Sequence, residues 1–196
     1  MTDPAQYTDE MVMFRRSFHS HPETGWTEFR TTSVIVNRLK ELGLTVLQGT
    51  RVINPDFVMG RYPDEVEAGK KRALSEGVSQ EDIDATEGYT GAVAIFDTGR
   101  QGPVSAFRFD IDALYVPETT NPTHLPNQLG FASRHPGLMH ACGHDCHAAE
   151  GLALAHWLVD HKNDLCGTIK LLFQPAEEGT RGALAMSKSG ILDDVE

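Results

Sequence analysis

The sequence predicts an α/β fold in which a mixed sheet is flanked by helices, and three observations predict it. β-type runs at 89–97, 104–110 and 168–174 alternate with segments at 8–42, 145–161 and 181–189 that read as helical. The run TIKLLFQ (Thr168 to Gln174) has the apolar character of a buried strand and is stopped by Pro175. With 196 residues, 40% of them hydrophobic, the chain can bury one core of ordinary size, and its length favours one domain over two.

From Thr8 to Leu42 the apolar residues Met11, Phe14 and Phe18, then Val34, Ile35, Leu39 and Leu42, recur at helical spacing. Pro22 and Gly25 break the run, so it predicts two helices, the second ending at Gly43 in a left-handed cap. Residues 64–87, DEVEAGKKRALSEGVSQEDIDATE, are mostly polar and read as an exposed helical insertion that does not hold the core together. The runs Tyr89 to Asp97 and Val104 to Asp110 are separated by TGRQGP, which predicts an adjacent, hairpin-like pair. A loop-rich stretch with Pro117, Pro122, Pro126 and Pro136 leads to a His/Cys cluster, after which a helix runs from near Asp145 to about His161. Beyond the last strand, Arg181 to Ser189 is helical again, with Gly190 as the stop.

The formal net charge is -11, from 17 Lys+Arg against 28 Asp+Glu. That balance argues against a nucleic-acid or anionic-membrane surface and for a small-molecule or protein partner. No apolar run of about 18 residues occurs, and MTDPAQYTDEM has neither a basic nor a hydrophobic segment, so the expectation is a soluble, cytoplasmic protein. Three cysteines are too few for a disulfide framework, and Cys142 and Cys146 stand among histidines, which opens metal chemistry.

The segment MHACGHDCHAAEG gathers His140, Cys142, His144, Asp145, Cys146 and His147. Thiolate, imidazole and carboxylate form a zinc-type ligand set, while imidazole and carboxylate also suit manganese or iron. A Cys-x-His pair in extended backbone points both side chains one way, so Cys142 and His144 can face one cluster. Asp145 falls where a helix should begin, as an N-cap or as the partner of an imidazole. The plainer readings are a structural zinc knuckle or a polar loop. The spacing is not Cys-x-x-Cys and no second Cys/His pair lies within the usual distance, which favours a catalytic site.

In FQPAEEGTRGA the strand presents Glu177 and Glu178 side by side. Neighbours at a strand end point in different directions, so one carboxylate can bind metal while the other addresses water. Hydrolysis needs that division: a Lewis acid lowers the pKa of water, and a carboxylate outside the ligand set moves its proton to the leaving amine. Alone, such a pair is usually the acidic start of a helix; with the Cys/His cluster about thirty residues earlier it reads as functional. In FRFDIDAL, Asp110 and Asp112 share one side of a strand end, where one of them can hold the catalytic Glu or a ligand in place, or both are solvated acids. His19 and His21 read as structural, Cys166 as packing and His161 as surface.

FRFDIDAL, MHACGHDCHAAEG and FQPAEEGTRGA, in that order after RRSFHSHPETGWTEF, resemble the metal-dependent amidohydrolases of the M20 peptidase family, in the branch with a cysteine metal ligand. The resemblance runs from about Phe14 to Asp194. It implies a three-layer, zinc-peptidase-like catalytic domain in which Cys142 bridges two divalent ions, manganese or else zinc. His144 and Glu178 would bind them, Glu177 would be the general base, and Asp112, with Asp110 as competitor, would orient the site. The family assigns His147 no general ligand role, and Cys146 replaces a small residue. The polar insertion, GFASRHPGLMHACGHDCH and LLFQPAEEGTRGA resemble members that cleave aryl amides of glutamate. The implied reaction is hydrolysis of N-acyl or N-aroyl amino acids, above all p-aminobenzoyl-glutamate to p-aminobenzoate and glutamate. A second hydrolase subunit or a homo-oligomer is the implied protein partner. Family members carry further histidines, a dimerisation or lid domain and the last strands of the sheet after the EE motif. Residues 1–196 therefore correspond to the N-terminal portion of the catalytic domain, incomplete at its C-terminus, with 64–87 inserted. The alternatives are a catalytically incomplete fragment or non-catalytic partner subunit, and a structural zinc module.

Overall fold

The computed structural model describes residues 4–196. Its elements in chain order are α1 (Thr8–Ser20), α2 (Phe29–Glu41), β1 (Thr45–Gln48), α3 (Pro63–Ser75), α4 (Gln80–Ala85), β2 (Ala92–Asp97), β3 (Val104–Asp110), α5 (Leu125–Leu129), α6 (His144–Asp160), β4 (Thr168–Gln174) and α7 (Ala183–Ser187). The four strands form one mixed sheet in the order β1-β2-β4-β3. β2 runs antiparallel to both β1 and β4, whereas β3 runs parallel to β4.

Side chains alternate across the sheet and build an apolar layer on each face. Ala94, Phe96, Leu171 and Phe173 pack with Phe14 and Phe18 of α1, Ile35 and Leu39 of α2, and Leu152 and Leu158 of α6. Val93 and Leu172 face the other way, toward Trp26, Phe29, Val52, Ile53 and Met186. Helices on both faces of a mixed sheet give the three layers expected.

Several expectations are corrected. β2 and β3 are not a hairpin: β4 lies between them and pairs with both. The connection through Thr98 and Arg100 instead closes on Gly167, whose N–H donates to the Arg100 carbonyl at 2.9 Å and whose carbonyl accepts from Thr98. A buried apolar strand gains most at the centre of a sheet, and a loop that spans about two strand spacings leaves room for it. β1 escaped the sequence reading because it is four residues long and only partly buried. The polar segment 64–87 forms α3 and α4, and it does reach the core: Val66, Ala73 and Ile83 are buried in the second layer. Cys166 is exposed, whereas His161 is buried with its ring stacked on Trp157, the reverse of their expected places.

Gly151 brings α6 onto the sheet, since a Cβ there would lie 2.7 Å from Phe173 Cε1 and 2.8 Å from Phe109 Cδ2. Gly151→Val is expected to cost about 1–3 kcal/mol through overpacking. A thermal melt should show this as a fall in Tm of roughly 2–12 °C. No helix among the described residues is long and apolar enough to cross a membrane.

Candidate metal centre

Three backbone turns deliver the polar residues to one place, beyond the carboxyl ends of the parallel strands β3 and β4. In α/β sheets such ends are the usual place for a site. Asp110 closes β3 and Asp112 follows it, both buried. Gly143, left-handed at φ 91°, caps α6 and turns the chain so that His144 is its first residue. Gln174 ends β4, Pro175 stops the strand, and Ala176, a non-glycine residue at φ 51°, swings Glu177 and Glu178 back toward α6.

Donor atoms of Cys142, His144 and Glu178 all lie within 4.8 Å of one another. The turn at Gly143 brings the first two together, in place of the expected period-two alternation of extended backbone. His144 Nδ1 donates to the Asp112 carbonyl at 2.9 Å, which leaves Nε2 facing the cluster. Nε2 is 3.5 Å from Asp110 Oδ1, 3.8 Å from Glu177 Oε2 and 3.9 Å from Glu178 Oε1. Burial pulls the His144 pKa down, but the hydrogen bond to Asp112 and the charges of Asp110 and Asp112 outweigh it and push it up to about 9. The Cys142 thiol is pushed up by burial and by the negative charge of Glu178.

These residues fit a divalent ion. Ligands about 2.0–2.1 Å from a tetrahedral ion stand roughly 3.3 Å apart, and the two proposed ligand atoms His144 Nε2 and Glu178 Oε1 are 3.9 Å apart, so a small movement closes them on one ion. Glu178 Oε1 is buried without a hydrogen-bond partner. Among the described residues, neither Glu177 nor Glu178 has a lysine or arginine within ion-pair distance. The donor set is anionic and calls for a cation.

Asp112, 1% exposed, receives the N–H groups of both acids, Glu177 at 2.9 Å on Oδ1 and Glu178 at 3.1 Å on Oδ2. Asp110 sits on the other side of the cluster, where it takes His147 Nδ1 at 2.5 Å on Oδ1 and Arg108 Nη2 at 2.9 Å on Oδ2. Asp112 thus holds the backbone of the acids and the Nδ1 side of His144, while Asp110 meets His147, Arg108 and the Nε2 side of His144. Asp110, His144 and His147 also bring donor atoms within 4.8 Å, but a 2.5 Å separation is that of a hydrogen bond rather than of two ligands on one ion.

Asp145 is not the N-cap. It lies in the first turn of α6, where its Oδ2 pairs with the Arg15 guanidinium, Nε at 3.0 Å, and accepts from His19 Nδ1 at 2.8 Å. The imidazole it holds is therefore His19, which also donates to Glu118 at 2.9 Å, and both helices are tied together as the structural reading of His19 supposed. Burial lowers the His19 pKa, but its bonds to Asp145 and Glu118 outweigh this and raise it. Burial pushes His140 down to about 4, so its ring is neutral, and neither of its nitrogens has a partner. A cavity of about 710 Å³ between α1, α5 and α6 is lined by none of Cys142, His144, Glu177 and Glu178.

His147 was named in the cluster without a ligand role, whereas Glu28, which accepts the Ala176 N–H, and Arg181 were not singled out. Arg181 Nε donates to the Glu178 carbonyl at 2.9 Å and Nη1 to the Gly60 carbonyl at 3.0 Å, which pins the acidic turn to a distant loop. The spacing of His147 in HDCH was a usable signal for it; nothing local marked the other two.

An α/β protein that gathers a thiol, an imidazole and paired carboxylates at the ends of its parallel strands has the donor set of a metal centre. More narrowly, residues 106–196 match the family described as Peptidase family M20/M25/M40. It is 48% identical over 189 residues to the Haemophilus influenzae homolog of a p-aminobenzoyl-glutamate hydrolase subunit, covering 96% of this chain and 45% of that protein. It is also 48% identical over 194 residues to the indole-3-acetyl-aspartic acid hydrolase of Enterobacter agglomerans, covering 97% of this chain and 44% of that one. Among solved structures, the aminobenzoyl-glutamate utilization protein of Klebsiella pneumoniae superposes with a TM-score of 0.80 at 39% identity, over 98% of this chain and 42% of that one. A Bacillus subtilis protein described as a dinuclear metal binding peptidase from the M20 family superposes with a TM-score of 0.72 at 32% identity, over 99% and 42%. The chain spans less than half the length of these relatives.

Proposed function

We propose that this chain carries part of the catalytic domain of a metal-dependent amidohydrolase that splits the amide between an aromatic acyl group and an acidic amino acid, p-aminobenzoyl-glutamate first. One observation carries the reading: Asp112 holds the backbone of Glu177 and Glu178 so that both acids face Cys142 and His144. Relatives whose names specify aminobenzoyl-glutamate or indole-3-acetyl-aspartate share an aromatic acyl group on an acidic amino acid, which supports the substrate class.

Cys142, His144 and Glu178 would hold divalent ions, manganese or zinc; the dinuclear relative supports two of them. Bound there, the ions supply Lewis acidity toward water and the amide carbonyl. Glu177 takes a proton from the attacking water as its oxygen bonds to the carbonyl carbon. It then passes that proton to the amide nitrogen as the C–N bond breaks, releasing p-aminobenzoate and glutamate. Asp112 fixes the direction of Glu177 throughout. The Haemophilus relative is named as a homolog of one subunit of a hydrolase, which supports a second, different chain as the partner of the full-length protein.

The test is release of p-aminobenzoate by the full-length protein loaded with manganese or zinc, with indole-3-acetyl-aspartate as competitor. No release from either amide with either ion would sink the reading. For Cys142→Ala, elemental analysis of the purified full-length protein is expected to show the ion content falling from two per chain to one or none.

A further inference from the structure

Glu28 is fully buried, and no lysine, arginine or histidine stands within ion-pair distance of it among the described residues. A carboxylate without a counter-ion is expensive to bury, so its place calls for a reason. The reason lies in what it holds. Glu28 Oε1 accepts the Ala176 N–H at 2.8 Å, and Oε2 is 2.6 Å from the Thr90 hydroxyl.

Ala176 is a non-glycine residue at φ 51°, a conformation that persists only where its surroundings impose it. The turn is enclosed: a Cβ at Gly25 would lie 2.9 Å from Ala176 Cα, and one at Gly91 2.5 Å from Pro175 Cδ. The Ala176 carbonyl accepts from Gly182 at 2.8 Å, and the next two amides go to Asp112. Three consecutive N–H groups, 176 to 178, are thus taken by two buried carboxylates that come from opposite parts of the chain.

We propose that Glu28 is a positioning residue whose bond to the Ala176 N–H holds the left-handed turn that aims Glu177 and Glu178 at Cys142 and His144. What the two acids do there rests on the function proposed above; the geometry of the turn does not. Burial and the charge of Asp112 push the Glu28 pKa up. In its neutral form the proton goes to Thr90 Oγ1, and Oε1 still accepts from Ala176. Reach, not charge, is therefore the property that matters.

Two variants of the full-length protein separate them. Glu28→Gln keeps the reach and an Oε1 acceptor, while its amide can donate to Thr90. Glu28→Asp keeps the carboxylate and withdraws it by one methylene. Cobalt(II) is titrated into the metal-free protein and followed by its thiolate charge-transfer absorption, and kcat and KM are measured on p-aminobenzoyl-glutamate. Glu28→Gln is expected to stay within about threefold of the parent in both cobalt affinity and kcat. Glu28→Asp is expected to bind cobalt about tenfold more weakly and to lose about 10–100-fold in kcat at unchanged KM. A Gln variant as impaired as the Asp variant, or an Asp variant equal to the parent, overturns the proposal. Should Glu28→Asp not fold, exchange of the Ala176 amide decides: parental protection in Glu28→Gln supports the bond, and faster exchange overturns it. A parent that binds cobalt but leaves the substrate intact sinks the functional reading, and the cobalt titrations then decide on Glu28 alone. A parent that binds no cobalt overturns both.

Discussion

Glu177→Gln in the full-length protein is expected to lower kcat by about 10²–10⁴-fold, the range a positioned general base contributes. Gln has the length and shape of Glu and can keep the same rotamer, so what it removes is the ability to take and return a proton. Glu177 stands beside the group of Cys142, His144 and Glu178, whose donor atoms all lie within 4.8 Å of one another, and is not a member of it. Ion content should therefore stay at the parental value, and KM should change little. Steady-state kinetics together with elemental analysis check both. A variant that keeps more than about a tenth of parental turnover would place the base elsewhere.

Asp112→Ala is expected to damage stability and chemistry together. It strips the acceptor from two amides, those of Glu177 and Glu178, in a place where Asp112 is 1% exposed. Each buried N–H left unpaired costs about 1–3 kcal/mol, so the sum is roughly 2–6 kcal/mol. Tm should drop by on the order of 10 °C, since 1 kcal/mol moves a domain of this size by about 2–4 °C. Removing the charge also relieves its neighbour Glu28, whose pKa it raises, and this offsets part of the loss. Turnover in the folded fraction should fall as well, because the N–H of the base then loses the acceptor that orients it. Calorimetry and kinetics on one preparation separate the two effects, and a stable variant with reduced kcat would isolate the positioning role.

What was legible in the sequence was local. Helical spacing marked α1 and α2, the apolar run marked β4, and Cys142 and His144 stand two residues apart while Glu177 and Glu178 are adjacent. Short spacings of this kind survive whatever the chain does elsewhere. The sheet order was not legible, because a six-residue loop is compatible with a hairpin and with a strand inserted between its arms. β1 was too short to show a period. The partners of the site were the least legible of all: Glu28 meets Ala176 148 positions later, and Asp145 meets His19 126 positions earlier. No pattern along the chain encodes such pairs; they exist only once the sheet has brought its edges together. Even the approach of Cys142 and His144 was anticipated for the wrong reason, since a left-handed glycine and a helix start accomplish it.

The left-handed turn at Ala176 places two acids with different proposed jobs at consecutive positions, told apart only by register. Removing one residue between Gln174 and Glu177 would move Glu178 into the place of Glu177 and Gly179 into that of Glu178, so a single codon deletion would erase a ligand while leaving a carboxylate where the base had been. The segment Pro175 to Gly179 should therefore tolerate conservative replacement far better than any change of length. In a library of insertions and deletions it should stand out as a gap in the surviving clones.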